Sequence, residues 1–453
     1  MKNTMAVVVA VCCMTTAGSA ACAADMGIGA TAAQKGTVTT VQATAVQQLR
    51  PQAAVYGDGE KVAAIILRFP SAIDPASLRD DSFAVEGRTI ASIYTNNKAS
   101  VPVKSVAGPY VAITLEHKNT ASFAAMGKKK EEPGSTDGRQ RGKAGDAPMI
   151  SDRKAPDLSV RVVQKKALQR MDGGSYAASP VVLTGTAGPA ASIADFRQYT
   201  YTDPATGVSM PYNLYLPRSY DPAKSYPLVV FIADASANTD DSTTPLYQGN
   251  GAIVWASPQW QSQHPCIVLA PQYTKKLVLS LGMMTTDDNV WTPGLQLTTD
   301  LIYHVLSTYS VDRNRIYGTG QSQGGMANIA ISDRHPGLFA GQFLVACQWD
   351  TEEMKLLKDK NLWILVCEGD TKAYPAMKKA VANWESLGTP VGQSPSWDSK
   401  ASVSYLNEEA KAMAAQGRHI NFTVFSGGNH MYTWSVAYTI DAIREWIFQQ
   451  RLE

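Results

Sequence analysis

The sequence predicts an α/β protein: a mostly parallel sheet covered by helices on both faces, preceded by a small β-sandwich. Three observations carry this reading. From about residue 36 to residue 186, short strand-like runs follow one another with turn residues between them and no strong helix. From about residue 191 to the end, apolar runs alternate with segments of helical periodicity, the pattern of a parallel sheet buried on both sides. Within that second part, Val311 to Ala330 reads as strand, glycine-rich turn and helix, and the turn is Gly320-Gln321-Ser322-Gln323-Gly324.

The bulk properties narrow the function. The 453 residues suffice for two or three domains, and 41 Lys and Arg against 39 Asp and Glu give a net charge of +2, which argues against nucleic acid as a partner. Lys2 precedes an apolar run, Met5 to Met14, and then small residues from Thr15 to Ala24. This is the pattern of a signal peptide at residues 1–24, cleaved after Ala23 or Ala24, and it predicts an exported protein. A lipid anchor on Cys22 is the alternative, but Ser19 stands where such sites carry a bulky apolar residue. No later run is long and apolar enough for a transmembrane helix. Once the leader is removed, Cys266, Cys347 and Cys367 remain, each in or beside an apolar strand-like run, and buried free thiols are expected. Spacing does not identify any disulfide among them.

In the first part, Val62 to Phe69 reads as a strand ended by Pro70, followed by short strands at Phe83 to Val85 and Ile90 to Tyr94. Val111, Ile113 and Leu115 alternate with Ala112, Thr114 and Glu116, the period of a half-buried strand. Residues 125–156, with Lys128 to Lys130, Glu131-Glu132 and many Gly, Asp and Arg, bury little apolar surface and read as a mobile, solvent-facing insertion. Strand patterning resumes at Val160 to Val163 and Pro180 to Leu183.

In the second part, Phe196 to Tyr201 and Met210 to Leu216 form a hairpin around Asp203-Pro204-Ala205-Thr206-Gly207. Strand-like runs follow at Leu228 to Ile232, Cys266 to Ala270, Arg315 to Tyr317, Phe339 to Ala346, Leu362 to Cys367 and Asn421 to Phe425. Leu297, Leu301, Ile302, Val305 and Leu306 share one helical face, as do Ile440, Ile443, Trp446 and Ile447.

A serine in such a strand-to-helix turn is lifted clear of the sheet, and the flanking glycines remove side chains that would clash. Its hydroxyl needs a base, and the base needs a third group to hold it. On this kind of sheet the chain order should be Ser, acid, His. Of six histidines only His419 and His430 lie after the later strands, and His430, in the loop Ser426-Gly427-Gly428-Asn429-His430 before the final helix, is placed to reach Ser322. The acid should follow Leu362 to Cys367; Asp370 is favoured over Glu368, with Asp350 as a third candidate. The oxyanion hole should take the N–H of Gln323 and an N–H from the loop after Leu228 to Ile232, that of Asp234 or Ala235.

The segments YPLVVFIADAS, VDRNRIYGTGQSQGGMA, LVCEGDTKAYPAM and SGGNHMYTWSVAYTIDAIREWIF resemble secreted α/β-hydrolase esterases. This group also goes under the name of predicted peptidases and is akin to polyhydroxybutyrate depolymerases and feruloyl esterases. Some members carry an N-terminal immunoglobulin-like domain, which residues 36–186 resemble; residues 191–453 carry the hydrolase likeness. The resemblance implies Ser322 as nucleophile, Asp370 as acid and His430 as base of a serine esterase, with no metal or cofactor and with a small-molecule or polymer-linked ester as substrate. It also places Gln348-Trp349-Asp350 at the pocket edge, although packing equally explains Trp349. One departure stands out: the loop after the oxyanion strand commonly has His-Gly or His-Asp, and this chain has Ala233-Asp234. Loops 234–256 and 274–293 should line the pocket. A serine peptidase on the same fold and an inactive surface-binding protein are the alternative readings, and the β domain offers a packing or subunit contact.

Overall fold

The computed structural model describes residues 44–121, 151 and 154–453, all within one compact unit, Gly36–Glu453. The expected signal peptide, Cys22 and most of the insertion at 125–156 lie outside the described residues.

The first part is two antiparallel sheets face to face. One has the order β1 (Gln48–Tyr56), β2 (Gly59–Ile73), β5 (Gly108–Leu115), β4 (Ile90–Asn96); the other has the order β3 (Phe83–Val85), β6 (Ser159–Gln164), β9 (Ser179–Thr186). A two-stranded ribbon, β7 (Leu168–Gln169) with β8 (Ser175–Tyr176), closes one end. Ile65, Leu67, Phe69, Val111 and Ile113 from the first sheet pack with Phe83, Val85, Val160, Val162 and Leu183 from the second. Three details depart from the sequence reading. Strand β1 was not foreseen, since Pro51 interrupts its pattern; it lies at the sheet edge, where a missing N–H is tolerated. Pro70 does not end β2, but the ladder to β5 breaks between Arg68 and Ile73, where the proline has no N–H to donate. Ala112 is as buried as its neighbours, because Ile66 and Tyr94 flank it in register and cover so small a side chain.

The second part is one large sheet. Its order is β10 (Arg197–Thr202), β11 (Ser209–Tyr215), β13 (Ile267–Pro271), β12 (Tyr226–Ile232), β14 (Val311–Gln321), β15 (Gly341–Val345), β16 (Leu362–Cys367), β19 (Ile420–Ser426), β17 (Val391–Gln393), with β18 (Trp397–Asp398) also against β19. The hairpin β10–β11 and its junction with β13 are antiparallel, and every later pairing is parallel. Helices α1 (Ala191–Ala194), α2 (Thr244–Tyr247), α3 (Pro258–Gln263), α4 (Lys275–Leu281), α5 (Pro293–Thr308), α6 (Gln323–Arg334), α7 (Ala373–Ser386), α8 (Val403–Ala414), α9 (His430–Ala437) and α10 (Asp441–Phe448) make the connections.

Every residue of β12 is buried, and its side chains part between two cores: Leu228, Val230 and Ile232 to one face, Val229 and Phe231 to the other. This is why the run reads as continuously apolar rather than alternating. The foreseen stripe of α5 joins the first core, and that of α10 joins the second, with Ile440 as its N-cap residue. Helix α5 starts where Thr292 Oγ1 accepts from the Leu295 N–H and Pro293, having no N–H, needs no acceptor. Among the described residues no helix is long and apolar enough to cross a membrane. Cys266, Cys347 and Cys367 are free and buried.

Candidate active site

Strand β14 is longer than its apolar run predicts, and its last residue, Gln321, still pairs with Val345 of β15. Helix α6 begins two residues later at Gln323, so Ser322 is the whole of the turn. Its backbone is left-handed, φ 50 and ψ −120, a conformation that costs a non-glycine residue of order 1–3 kcal/mol. The neighbours hold it there. Ser322 donates its N–H to the Val345 carbonyl at 3.0 Å, and its own carbonyl accepts from the Met326 N–H. The two glycines are required by space: a Cβ on Gly324 would lie 1.8 Å from the Ile232 carbonyl oxygen, and one on Gly320 would lie 2.5 Å from the Gly324 carbonyl carbon.

Three segments far apart in the chain converge on Ser322. His430 Nε2 lies 2.8 Å from Ser322 Oγ, and His430 Nδ1 lies 2.5 Å from Asp370 Oδ2. The carboxylate fixes the Nδ1–H tautomer and leaves Nε2 to accept from the serine hydroxyl. His430 is not in an open loop before the final helix, as the sequence suggested; it is the first residue of α9, and α10 follows separately. Asn429 caps α9 by accepting the Tyr432 N–H, and Trp434 sets its ring at a steep angle to the imidazole, with centroids 5.0 Å apart. The His430 side chain keeps 19% exposure while Asp370 has none.

Asp370 stands at the start of α7. Its Oδ1 accepts the N–H groups of Lys372 and Ala373 at 3.1 and 3.0 Å, where a helix start favours negative charge. Burial alone would push this carboxyl up; the hydrogen bond and charge of His430 and the two backbone donors outweigh it and hold the carboxyl below its ordinary value. The other two acid candidates are engaged elsewhere. Glu368 Oε1 accepts from Ser396 Oγ, and Asp350 Oδ1 caps a short 3-10 turn through the N–H groups of Glu352 and Glu353. His419, the other late histidine, bonds the Lys358 carbonyl. His117, His264, His304 and His335 make their contacts with Asp58, Glu445, Tyr201 and Tyr303, away from Ser322.

Gln323, at the first position of α6, carries one of the N–H groups that a helix start leaves without an intrahelical acceptor. On the facing side Asp234 N-caps the 3-10 turn Ala235–Ala237. The Ser236 N–H is taken by Asp234 Oδ1, so Asp234 and Ala235 carry the N–H groups that this turn leaves without an acceptor inside itself. The Asp234 carboxylate is itself buried, and Gln321 Nε2 donates to its Oδ2 at 2.9 Å. Gln248 Nε2 donates to the same oxygen. Neither contact is legible in the sequence: Gln321 stands beside Ser322, but a partner 87 residues away is not visible in a local pattern. Of the expected pocket-edge pair, Trp349 is buried in the core with its indole donating to Glu353, so packing explains it. Gln348 is half-buried, with Nε2 against the Met326 sulfur, and the Gln323 side chain reaches the Thr285 carbonyl in loop 274–293.

Residues 53–177 match the family model described as the esterase Ig-like N-terminal domain. No curated protein matches the chain. Among solved structures, a thermostable esterase is 26% identical, with a TM-score of 0.66 over 89% of this chain and 99% of its own. That span includes the sandwich as well as the large sheet. The feruloyl esterase module from Clostridium thermocellum, complexed with sinapinate, is 16% identical over 59% of this chain and 92% of its own, with a TM-score of 0.41. S-formylglutathione hydrolase from Staphylococcus aureus is 12% identical over 56% and 98%, with a TM-score of 0.37. The chain is an α/β-hydrolase-fold protein that carries, ahead of its large sheet, the Ig-like N-terminal domain described for esterases.

Proposed function

We propose that this protein is a carboxylic ester hydrolase that works through an acyl-enzyme on Ser322. The observation that carries the reading is the unbroken line from Asp370 Oδ2 through both ring nitrogens of His430 to Ser322 Oγ, at 2.5 and 2.8 Å. Ser322 Oγ attacks the ester carbonyl carbon as its proton passes to His430 Nε2, and the imidazolium is stabilised by the ionised Asp370. The negative charge on the carbonyl oxygen rests on the N–H of Gln323 and on that of Asp234 or Ala235. His430 returns the proton to the leaving alcohol as the C–O bond breaks. A water molecule then repeats the sequence on the acyl-serine and releases the acid. The similarity to a thermostable esterase across both parts of the chain supports an ester as substrate.

We infer also that the protein acts outside the cytoplasm, as the run Met5 to Met14 and the small residues up to Ala24 support. A mature N-terminus after residue 23 or 24 in the exported fraction is the expected result. The activity is tested with p-nitrophenyl esters of graded acyl length: the wild type should turn them over, a fluorophosphonate should label Ser322, and Ser322→Ala should do neither. Unchanged turnover in Ser322→Ala sinks the proposal.

A further inference from the structure

Beside the catalytic line, and unused by it, lies a buried carboxylate, that of Asp234, which is 5% exposed. Its donors are all neutral: the N–H and Oγ of Ser236 on Oδ1 at 2.8 and 2.6 Å, and the side-chain amides of Gln321 and Gln248 on Oδ2. Gln248 Nε2 also meets Ser236 Oγ at 2.9 Å, which closes the group into a ring. Four donors converge on one carboxylate in a place where burying a charge is costly unless it is fully hydrogen-bonded.

The position of this group explains what it holds. Strands β12 and β14 run in parallel register as far as Ile232 opposite Gly320. Beyond that pair the two chains diverge, one into Ser322 and α6, the other into Ala233, Asp234 and the 3-10 turn. Their backbones are no longer laced together at the point where their N–H groups must face one substrate oxygen. The bond from Gln321 to Asp234 is the next tie after the last ladder pair, and it joins the residue before Ser322 to the loop that supplies the second donor.

We propose that Asp234 is a positioning residue: its carboxylate clamps the oxyanion loop to the nucleophile turn, with Gln321 and Gln248 as its partners. This rests on the reading of Ser322 as nucleophile. The side chain touches no reacting atom; it sets the distance between the N–H groups of residues 234–235 and that of Gln323. Loosening the clamp should therefore weaken transition-state stabilisation and leave ground-state binding nearly unchanged.

The test measures kcat and KM on p-nitrophenyl acetate, pH profiles and thermal melts for the full chain and for Asp234→Ala, Asp234→Asn, Gln321→Met, Gln321→Glu and the double variant Asp234→Ala with Gln321→Met. Loss of one oxyanion donor lowers kcat by about 100- to 1,000-fold, so a displaced donor in Asp234→Ala should cost on the order of 30-fold or more, with KM within about threefold. Asp234→Asn, which keeps one acceptor oxygen, should fall between Asp234→Ala and the wild type. The double variant should be no worse than Asp234→Ala, because the bond that Gln321→Met removes is already lost when Asp234 is. The pH profile of kcat/KM should not move, since Asp370 and His430 are untouched. Should Asp234→Ala fail to fold, Gln321→Met and Gln321→Glu still decide, and the added carboxylate should be the more damaging. Wild-type kcat in Asp234→Ala or in both Gln321 variants, multiplicative losses in the double variant, or a shifted pH profile would each overturn the proposal. If Ser322 resists the fluorophosphonate and Ser322→Ala retains turnover, the reading of the site itself has failed; if the wild type passes both checks while the clamp variants keep their kcat, only the role of Asp234 falls.

Discussion

Gly57, at the tip of the β1–β2 hairpin in the N-terminal sandwich, abuts the backbone of Ser435 in α9, the helix that His430 opens. A Cβ on Gly57 would lie 1.7 Å from the Ser435 carbonyl oxygen and 2.5 Å from its carbon. The same helix position is held from a second side, since Asn119 Nδ2 donates to Ser435 Oγ at 2.7 Å. On its other flank the tip meets the segment after α2, where a Cβ on Gly249 would be 3.0 Å from the Gly57 carbonyl oxygen. The sandwich thus packs directly against the element that carries the candidate base.

Gly57→Ala should displace α9 or the hairpin. The clash is with backbone, which cannot rotate away, so the expected loss of stability is about 1–3 kcal/mol, the usual range for overpacking. Urea unfolding gives that number. Because His430 lies five residues before Ser435, kcat should fall as well, by about tenfold or more, since small misplacements of a catalytic group are costly. A variant with wild-type midpoint and wild-type kcat would show that the contact yields without consequence.

Asp370→Asn should leave a folded protein with kcat lower by about 1,000- to 10,000-fold, because an amide cannot hold the imidazole in the required tautomer and charge state. Melting curves establish folding, and p-nitrophenyl acetate turnover gives the loss. The pH dependence has a definite sign. The Asp370 carboxyl is held below its ordinary value in the folded protein, so its stabilising contribution is present above the unfolded value of about 4 and is lost only as pH falls through the lower folded value. Loss of activity on acidification above about pH 5 must then come from another group, and the wild type should not lose stability there through Asp370.

Asp333, in the last turn of α6, makes the opposite prediction. Burial first, and the charges of Glu353 and Asp350 second, push its carboxyl up to about 7. The Trp349 indole, whose hydrogen bond goes to Glu353, offsets this rise only in part, and both Asp333 oxygens are buried without a hydrogen-bond partner among the described residues. The folded chain therefore binds this proton more tightly than the unfolded chain, whose carboxyl titrates near pH 4. Between about pH 4 and pH 7 the native state holds more protons, and stability from this group falls as pH rises. Asp333→Asn should remove that slope and raise stability at pH 8 by on the order of 2 kcal/mol, a value discounted for the solvent that reaches the residue. Denaturant midpoints at pH 5 and pH 8 for both proteins check it; an unchanged or steeper slope in the variant excludes Asp333 as its source.

The three residues of the candidate triad were legible because each follows the end of a strand whose pattern is local. Ser322 announces itself through glycines that the close approach of Ile232 demands, Asp370 follows the wholly apolar run Leu362–Cys367, and His430 follows a strand in which Ile420, Phe422 and Val424 alternate with Asn421 and Thr423. Chain order then left few candidates, and the geometry selects Asp370 over Glu368 and Asp350 by the bonds each carboxylate makes. The helical stripe of α5 and the hairpin at Asp203 to Gly207 were likewise set by periodicity and turn chemistry.

What the sequence determined by itself was therefore most of the strands, though not β1, β17 or β18, and the chemistry of the residues at their ends, since hydrophobic period and turn composition act over a few residues. What only the tertiary structure decided was contact across sequence distance: that Asp234 is tied by its side chain to Gln321, that His430 opens a helix, that Trp349 is core, and that Gly57 touches Ser435. Those pairings follow from which strand ends the sheet order makes neighbours and from how closely two backbones pack. No local pattern encodes either, because the partner that makes a buried carboxylate or a glycine necessary stands up to several hundred residues away in the chain.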